Sequence, residues 1–262
     1  MTSKTEPRLL CYDLGEGVTA FSTTRHGGVS EANYASFNIN PYCGDSADHV
    51  ARNRQLLADR LGLPASHIVL PHQVHGIEHR AVASELLDMS DAVRDKILDG
   101  VDMVTTSMTG VCIGVSTADC IPVLLYDPVA RATAAIHAGW RGTLQRICQR
   151  AVMAMQLHYG TTPDRLRAVV GPGISLANFE VGQEVYDQFV QAGFDLTETA
   201  EWHTKWHLDL PGINIRELIG CGVAPEHIHH ADICTFDHAD DYFSARRLGI
   251  DSGRIYTGIL MR

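Results

Sequence analysis

Four short apolar runs between residues 111 and 170 limit the fold of this chain more than any other feature of its sequence. The runs are Val111–Val115, Ile121–Leu125, Ala132–Ile136 and Leu166–Val170. Continuous apolar runs of this length, bounded by turn-forming or polar residues, are typical of buried β-strands. We therefore expect buried strands at the centre of the fold.

The rest of the sequence predicts helices and strands in irregular alternation. Helices are predicted at Asp45–Leu61, Glu85–Leu98, Thr143–Tyr159, Gly182–Ala192 and Pro211–Ile219, and further strands at Val18–Thr23, His67–Leu70, Ile233–Phe236 and Ile255–Leu260. Because the order lacks a regular βαβ rhythm, it predicts a mixed-sheet α/β sandwich. No linker or internal repeat interrupts the chain, so residues 1–262 are expected to form a single domain.

Composition and charge exclude several classes of protein. The net charge of −10 argues against a nucleic-acid-binding surface, which needs clustered lysine and arginine. The N-terminal residues Met1–Pro7 lack the apolar core of a secretory signal, and no stretch is long and apolar enough to cross a membrane. The seven cysteines are scattered without close pairs, as in proteins with reduced thiols. We expect a cytoplasmic protein.

Three side chains that can bind a metal lie at the ends of predicted strands: His75, Cys120 and His137. A Cys/His/His set leaves one tetrahedral position open on zinc, as in catalytic zinc sites. The same residues also allow a metal-free site, with Cys120 as nucleophile, His137 as base and Asp119 as the group that orients the base. A third interpretation is that all of them are hydrogen-bonded or packed core residues.

Arginines near predicted turns are candidates for binding an anion. Arg141 lies at the predicted start of the helix that ends at Tyr159, where free N–H groups and the helix dipole favour negative charge. Arg246 and Arg25 follow an aromatic pair and a strand, respectively. Guanidinium groups are well shaped for phosphate, although each of these arginines could equally be a solvated surface residue.

Several motifs, taken in order along the chain, resemble the laccase-domain family, also called the multicopper polyphenol oxidase or YfiH-like family. The motifs are Ser22–Arg25, Asn38, Cys43–Asp45, Asn53–Arg54, Gln73–Gly76, Thr117–Cys120, His137–Gly142, Gly171–Ile174 and Phe243–Arg247. The resemblance implies a four-layer αββα sandwich and a metal site at His75, Cys120 and His137. It covers nearly the whole chain.

The resemblance also implies purine nucleoside chemistry: phosphorolysis of adenosine, inosine, guanosine or methylthioadenosine, and deamination of adenosine. In that interpretation zinc activates a water that attacks purine C6, Asp119 moves a proton or orients a ligand, and Cys120, His137 and Arg141 complete the catalytic set. Substrate or phosphate contacts are expected from Arg25, Asn38, Gln73, Arg141, Ser244 and Arg246.

Some family members are instead assigned to peptidoglycan editing, which here would mean an amidase or cysteine hydrolase acting on muramyl-peptide precursors. A non-catalytic module stabilised by metal is a further alternative. A copper polyphenol oxidase is disfavoured, because multicopper sites need many histidines in His-x-His pairs, whereas this site offers one thiol and two imidazoles. The sequence does not indicate an oligomeric state.

Overall fold

The computed structural model describes residues 6–262. The expectation that Met1–Pro7 lacks the core of a secretory signal therefore rests in part on residues 1–5, which lie outside the described residues. The strands, in chain order, are β1 (Leu9–Tyr12), β2 (Val18–Thr23), β3 (Ile68–Val69), β4 (Glu78–Ala81), β5 (Val101–Thr106), β6 (Cys112–Thr117), β7 (Ile121–Asp127), β8 (Ala132–Ala138), β9 (Arg167–Val170), β10 (Glu180–Val181), β11 (Ala200–Trp202), β12 (Trp206–Leu208), β13 (Ile228–His230) and β14 (Ile255–Met261). The α-helices are α1 (Ala47–Leu61), α2 (Ser84–Asp88), α3 (Asp91–Leu98), α4 (Trp140–Leu144), α5 (Ile147–Tyr159), α6 (Gln183–Gln191), α7 (Leu210–Gly220) and α8 (Ala245–Leu248).

Two mixed sheets form the centre of the molecule. One has five strands in the order β1-β2-β14-β6-β3, and the other has six in the order β13-β9-β7-β8-β5-β4. Both combine parallel and antiparallel pairs. In the five-stranded sheet β3 runs parallel to β6 and β14 antiparallel to it, and in the six-stranded sheet β13 runs parallel to β9 and β7 antiparallel to it. A small sheet of β10, β12 and β11 lies apart from these two.

The alternation of side chains along β7 shows how the layers stack. Leu124 and Tyr126 belong to the apolar cluster between the two sheets, together with Ile113 of β6. Their neighbours Val123 and Leu125 point to the opposite side, where they share a cluster with residues of α5 and α7. A strand that is covered on both faces has apolar residues at successive positions. This explains why residues 121–125 form a continuous apolar run, which predicted a buried strand.

Helix α1 covers the outer face of the five-stranded sheet. Its residues Leu57 and Leu61 pack in one cluster with Phe21 of β2 and Tyr256 of β14. With α5 and α7 on the other side, the order of layers is helix, sheet, sheet, helix. The predicted mixed-sheet α/β fold, in its four-layer αββα form, is confirmed.

The prediction of one helix from Thr143 to Tyr159 is wrong. The chain forms α4 and α5 instead, and they are separated at Arg146, which adopts a left-handed conformation with φ of 60°. The guanidinium of Arg146 pairs with Glu217 of α7 and stacks on Phe194 at 4.1 Å from the ring centroid. These contacts hold the break, and Arg141 therefore lies in a one-turn helix of its own.

Two other local predictions need correction. The helix expected at Glu85–Leu98 is divided into α2 and α3, because Met89 leaves the helix in an extended conformation. The strand expected at Ile233–Phe236 is absent; the edge strand beside β9 is β13, and Cys234 makes only an isolated bridge to Gly173. In residues 6–262 no helix is long and apolar enough to cross a bilayer.

Candidate active site

The candidate site lies where the chain crosses from one large sheet to the other. The connection from β3 to β4 carries His75, and the connection from β6 to β7 carries Cys120. His137 is the penultimate residue of β8 and is 3% exposed. The ligand atoms of these three residues all lie within 4.8 Å of one another, and they form the one such group found among residues 6–262.

Unusual backbone conformations bring His75 and Cys120 to this point. His75 has φ of 63°, and Asp119, directly before Cys120, has φ of 83°. Residues other than glycine rarely adopt such values, so tertiary contacts must hold both turns.

Gly139, two residues after His137, leaves space for the three candidate ligands. A Cβ atom on Gly139 would lie 3.0 Å from Cδ2 of His75 and 3.2 Å from Sγ of Cys120. Any larger side chain at this position would therefore press on two of the three candidate ligands.

Asp102 of β5, which sequence reasoning missed, connects two of the three residues. Its carboxylate accepts a hydrogen bond from Nδ1 of His137 at 2.7 Å. It also accepts the backbone N–H groups of Val74, His75 and Gly76 at 3.2, 3.0 and 2.7 Å. The sequence does carry a signal, because an acid inside a fully buried strand must find partners.

The electrostatics of the site favour a charged thiolate and imidazolium. Burial alone would raise the pKa of the Cys120 thiol, but the His137 and His75 imidazoles outweigh it and lower the pKa to about 6. Burial would likewise lower the pKa of His137, but the Cys120 thiolate and the Asp102 carboxylate raise it to about 9. Burial also works against ionisation of Asp102, but its hydrogen bonds, first of all the one from His137, leave its pKa below the usual value.

These residues fit a single metal ion. One thiol with a lowered pKa and two imidazoles are donors that transition metals accept. Because Nδ1 of His137 is bonded to Asp102, the nitrogen left to face Cys120 or an ion is Nε2. The cluster can therefore hold a metal through three protein ligands.

A cavity of about 200 Å³ opens onto the group. Tyr42 and Ile250 give it apolar walls, and they are 40% and 72% exposed. Thr117 lines it too, and its hydroxyl has no hydrogen-bond partner within the described protein. The complete lining is Asn40, Tyr42, Cys43, His72, Gln73, His75, Ser116, Thr117, Ala118, Cys120, His137, Ala245, Ile250 and Arg254.

Asp119 lies beside the group but uses its carboxylate elsewhere. One oxygen accepts the hydroxyl of Thr235 at 2.7 Å, and the other accepts the backbone N–H of Arg246 at 2.7 Å. It is absent from the cavity lining. The carboxylate that contacts His137 is Asp102, so Asp119 instead connects the turn before Cys120 to α8.

Among the residues expected to contact substrate, Gln73 lines the cavity. Its Nε2 donates to the carbonyl of Ser116 and its Oε1 accepts the N–H of Ser116, each at 2.8 Å. The guanidinium of Arg25 donates to the carbonyls of Ala35 and Ala239. Asn38 is fully buried and donates to Asp45 at 2.9 Å. Arg25 and Asn38 therefore hold loops together, and neither belongs to the lining set.

Arg141, Ser244 and Arg246 also lie outside the cavity lining. Arg141 is exposed, with its guanidinium 4.4 Å from the ring centroid of Trp140. Ser244 caps α8 by accepting the N–H of Arg247. The guanidinium of Arg246 donates to the carbonyl of Glu180 at 3.3 Å.

Two arginines that sequence reasoning did not assign to substrate lie closer to the cavity. Arg254 is part of the lining, and its guanidinium is held by the carbonyls of Ser252, Gly253 and Ile250. Arg54 lines an adjoining cavity of about 540 Å³ that shares Tyr42 with the first. Nothing in the local sequence around Arg254 distinguishes it from the other arginines.

The match to known proteins covers nearly the whole chain. Residues 19–262 match the family model described as multi-copper polyphenol oxidoreductase laccase. A Bacteroides thetaiotaomicron protein named purine nucleoside phosphorylase is 44% identical over 247 residues, which are 93% of this chain and 92% of that protein. Adenosine deaminase RL5, from an unknown prokaryotic organism, is 40% identical over 248 residues, which are 93% of this chain and 94% of RL5.

Solved structures agree with this at the level of the fold. The crystal structure of Bacillus licheniformis hypothetical protein YfiH superposes with a TM-score of 0.90 at 28% identity, covering 98% of this chain and 97% of that one. The structure of YlmD from Geobacillus stearothermophilus gives a TM-score of 0.87 at 30% identity, covering 96% and 94%. The similarity therefore extends over all four layers.

Proposed function

This chain belongs to the family described as multi-copper polyphenol oxidoreductase laccase, and from that premise we propose that it is a zinc-dependent purine nucleoside phosphorylase that also deaminates adenosine. The names of the relatives, purine nucleoside phosphorylase and adenosine deaminase, support the two reaction classes. The observation that carries the proposal is the convergence of His75, Cys120 and His137 on one cavity. The substrates proposed are adenosine, inosine, guanosine and methylthioadenosine.

Zinc is the metal that we propose for these three side chains. A thiolate and two imidazoles suit zinc and leave a position for a further ligand. When bound, zinc would supply Lewis acidity that makes water more acidic and polarises a substrate atom. Copper chemistry of the multicopper type is disfavoured, because the cluster found among residues 6–262 has only two histidines.

The cavity walls suit a nucleoside. Tyr42, which packs against His72 with 4.3 Å between ring centroids, and Ile250 offer apolar surface for the base. Gln73 holds the backbone of Ser116 and so fixes this wall.

In phosphorolysis, an oxygen of phosphate bonds to C1′ of the ribose while the bond from C1′ to the base nitrogen breaks. The base leaves with the electron pair of that bond and takes up a proton. We assign phosphate to Arg254, because it is the arginine in the cavity lining. In deamination, water adds at C6 of adenine and ammonia leaves.

Asp119 is assigned an orienting role in this proposal. Both of its oxygens accept hydrogen bonds, from Thr235 and from the N–H of Arg246, so the carboxylate fixes the turn that carries Cys120. The enzyme is proposed to act in the cytoplasm on small molecules, without nucleic-acid or membrane partners.

The test is a paired assay of zinc content and of base release from adenosine and inosine, with and without phosphate. Bound zinc with phosphate-dependent release of free base is the expected result. Cys120→Ala should lose both zinc and turnover. Cys221→Ala, at the half-buried cysteine that directly follows α7 in the chain, should keep both. Zinc binding without nucleoside turnover would contradict the proposed reaction.

A second candidate function, a cysteine hydrolase or amidase, has a specific observation in its favour. His137 lies between the Cys120 thiol and the Asp102 carboxylate, as the base does in a Cys–His–Asp hydrolase. A muramyl-peptide precursor is the substrate class that the family resemblance suggests. Amide hydrolysis that survives a chelator but stops on alkylation of Cys120 would favour this candidate over the phosphorylase.

A further inference from the structure

The carboxylate of Asp102 is buried near the start of β5, the second strand from one edge of the six-stranded sheet, and it contacts two of the three candidate metal ligands. Asp102 is 0% exposed. One oxygen, Oδ1, accepts from Nδ1 of His137 and from the N–H of His75, and the other, Oδ2, accepts from the N–H groups of Val74 and Gly76. The four donors belong to two separate segments of the chain.

We propose that Asp102 is a positioning residue that fixes both imidazoles of the site, His137 through its side chain and His75 through its backbone. The inference rests on the proposed metal site for its functional meaning. Its geometric content, one acceptor shared by two ligand-bearing segments, stands independently of the metal.

The contact with His137 determines which ring nitrogen is available to a ligand. An ionised carboxylate only accepts hydrogen bonds, so Nδ1 of His137 must carry the proton in a bond of 2.7 Å. Nε2 is then left to face Cys120. Carboxylate–histidine pairs of this kind orient the imidazole and increase its basicity as a ligand.

The contact with the turn at residues 74–76 determines where His75 lies. Three consecutive N–H groups converge on Asp102, and the middle residue is His75 with φ of 63°. Such a conformation is unfavourable for a residue other than glycine and persists only where surrounding contacts hold it. The three hydrogen bonds to a charged acceptor are the contacts that hold it here.

A second buried carboxylate provides the comparison. Asp127, also 0% exposed, accepts the N–H groups of Val129 and Ala130 at the turn after β7, and its other oxygen has no partner. It therefore stabilises a turn far along β7 from Cys120 and contacts none of the candidate ligands. Asp127→Asn is the matched control for Asp102→Asn.

The test begins with Asp102→Asn, which keeps the shape but replaces one accepting oxygen by an NH₂ donor. That donor must then face either His137 Nδ1 and the N–H of His75, or the N–H groups of Val74 and Gly76, so at least one segment loses hydrogen bonds. We expect the zinc dissociation constant of the folded protein, measured by competition with a chelator, to rise about 10–100-fold. Amide hydrogen exchange at residues 74–76 should become faster in zinc-free Asp102→Asn than in the zinc-free wild type.

Asp127→Asn should leave zinc affinity and exchange at residues 74–76 unchanged. If Asp102→Asn lowers the melting temperature but keeps zinc affinity within about twofold, Asp102 is merely structural and the proposal fails. If Asp102→Asn does not fold, ¹⁵N spectra of zinc-loaded wild-type protein decide: a proton on Nδ1 of His137 supports the proposal, and metal on Nδ1 overturns it. Absence of nucleoside turnover would defeat the proposed function without changing any of these outcomes.

Discussion

Gly139 lies where a side chain would press on the candidate ligands. Its backbone φ of −71° suits any residue, so Gly139→Ala should fold normally. The added Cβ would lie 3.0 Å from His75 and 3.2 Å from the Cys120 sulfur, and one of them must move. We expect zinc affinity to fall about tenfold or more, since ligand position tolerates little displacement, with the melting temperature unchanged.

Gly220→Ala is the control for this variant. Gly220 ends α7, and a Cβ there meets nothing within 4 Å. This substitution should leave zinc affinity at the wild-type value and stabilise the helix by up to about 1 kcal/mol. Equal zinc affinity in Gly139→Ala and wild type, measured by chelator competition, would contradict the crowding argument.

The Cys120 thiol should react with alkylating agents at unusually low pH in the zinc-free protein. Because its pKa is lowered to about 6, the thiolate fraction rises through that pH, and the rate of iodoacetamide modification should rise with it. Cys221 is the internal comparison, because burial, then Glu217, raises its pKa above the usual value. Mass spectrometry after labelling at pH 6.5 should find Cys120 modified and Cys221 unmodified; the reverse order would refute this.

At this scale the sequence identified the three candidate ligands that the structure brings together, but not the residue that connects them. His75, Cys120 and His137 were predictable because each follows or ends an apolar strand in a recognisable motif. Asp102 was not, because its partners lie 26 to 35 residues away: an acid in a buried strand shows that partners are needed, but not which residues they are. The expected substrate residues Arg25 and Asn38 have the right chemistry, but they lie outside the cavity lining, where they bond Ala35 and Asp45.

The short helix α8 is held to the β6–β7 connection by Asp119. Thr235, which is fully buried, donates its hydroxyl to the same carboxylate. Thr235→Val removes that donor without changing shape, and we expect a loss of about 1–3 kcal/mol in the free energy of unfolding. Urea denaturation measures it, with Thr133→Val as control: Thr133 donates to a neutral carbonyl at 3.4 Å and should cost less. Equal losses would indicate that the charged acceptor is unimportant.

His79 on β4 should make the free energy of unfolding of the protein depend on pH. His79 bonds the hydroxyl of Thr105 at 2.8 Å, and burial, then His158 and Arg80, lowers its pKa from 6.5 to about 4. Between these values the unfolded chain takes up a proton that the folded protein refuses, so stability falls as the pH drops from 6.5 towards 4. His79→Gln should remove about 1 kcal/mol of this dependence, after allowance for a partly exposed ring.

The measurement is the free energy of unfolding at several pH values for wild type and His79→Gln. His203→Gln, in the exposed turn between β11 and β12, is the control and should follow the wild-type curve. Parallel curves for wild type and His79→Gln would show that His79 does not titrate differently in the folded state.

The elements themselves were largely predictable, and the failures have a physical cause. Residues 121–125 and 132–136 were identified as strands because both faces of each are covered, so no charged residue breaks either run. The break at Arg146 was not predicted. Leu144 and Ile147 pack in the same cluster on either side of it, so the helical spacing of apolar residues continues through the break. Contacts of Arg146 with Glu217 and Phe194, distant in sequence, decide the local conformation.

For the whole molecule, a bound zinc would act as a cross-link between the two large sheets. Its candidate ligands lie on the two connections that join the sheets and on β8. Ligand binding to the folded state alone stabilises by roughly 4 kcal/mol at a thousandfold excess over the dissociation constant, on the order of 10 °C for a domain of this size. Calorimetry with zinc and with a chelator should show this difference in wild type and none in Cys120→Ala.

Strand β14 has a consequence for how the protein is made. It lies between β2 and β6, so the five-stranded sheet has a gap until residues 255–261 insert. The ribosome releases β1, β2, β3 and β6 long before β14, and until then β2 and β6 each present an unpaired edge. The five-stranded sheet therefore cannot close until residues 255–261 have been synthesised, and before then the exposed edges of β2 and β6 are free to pair wrongly.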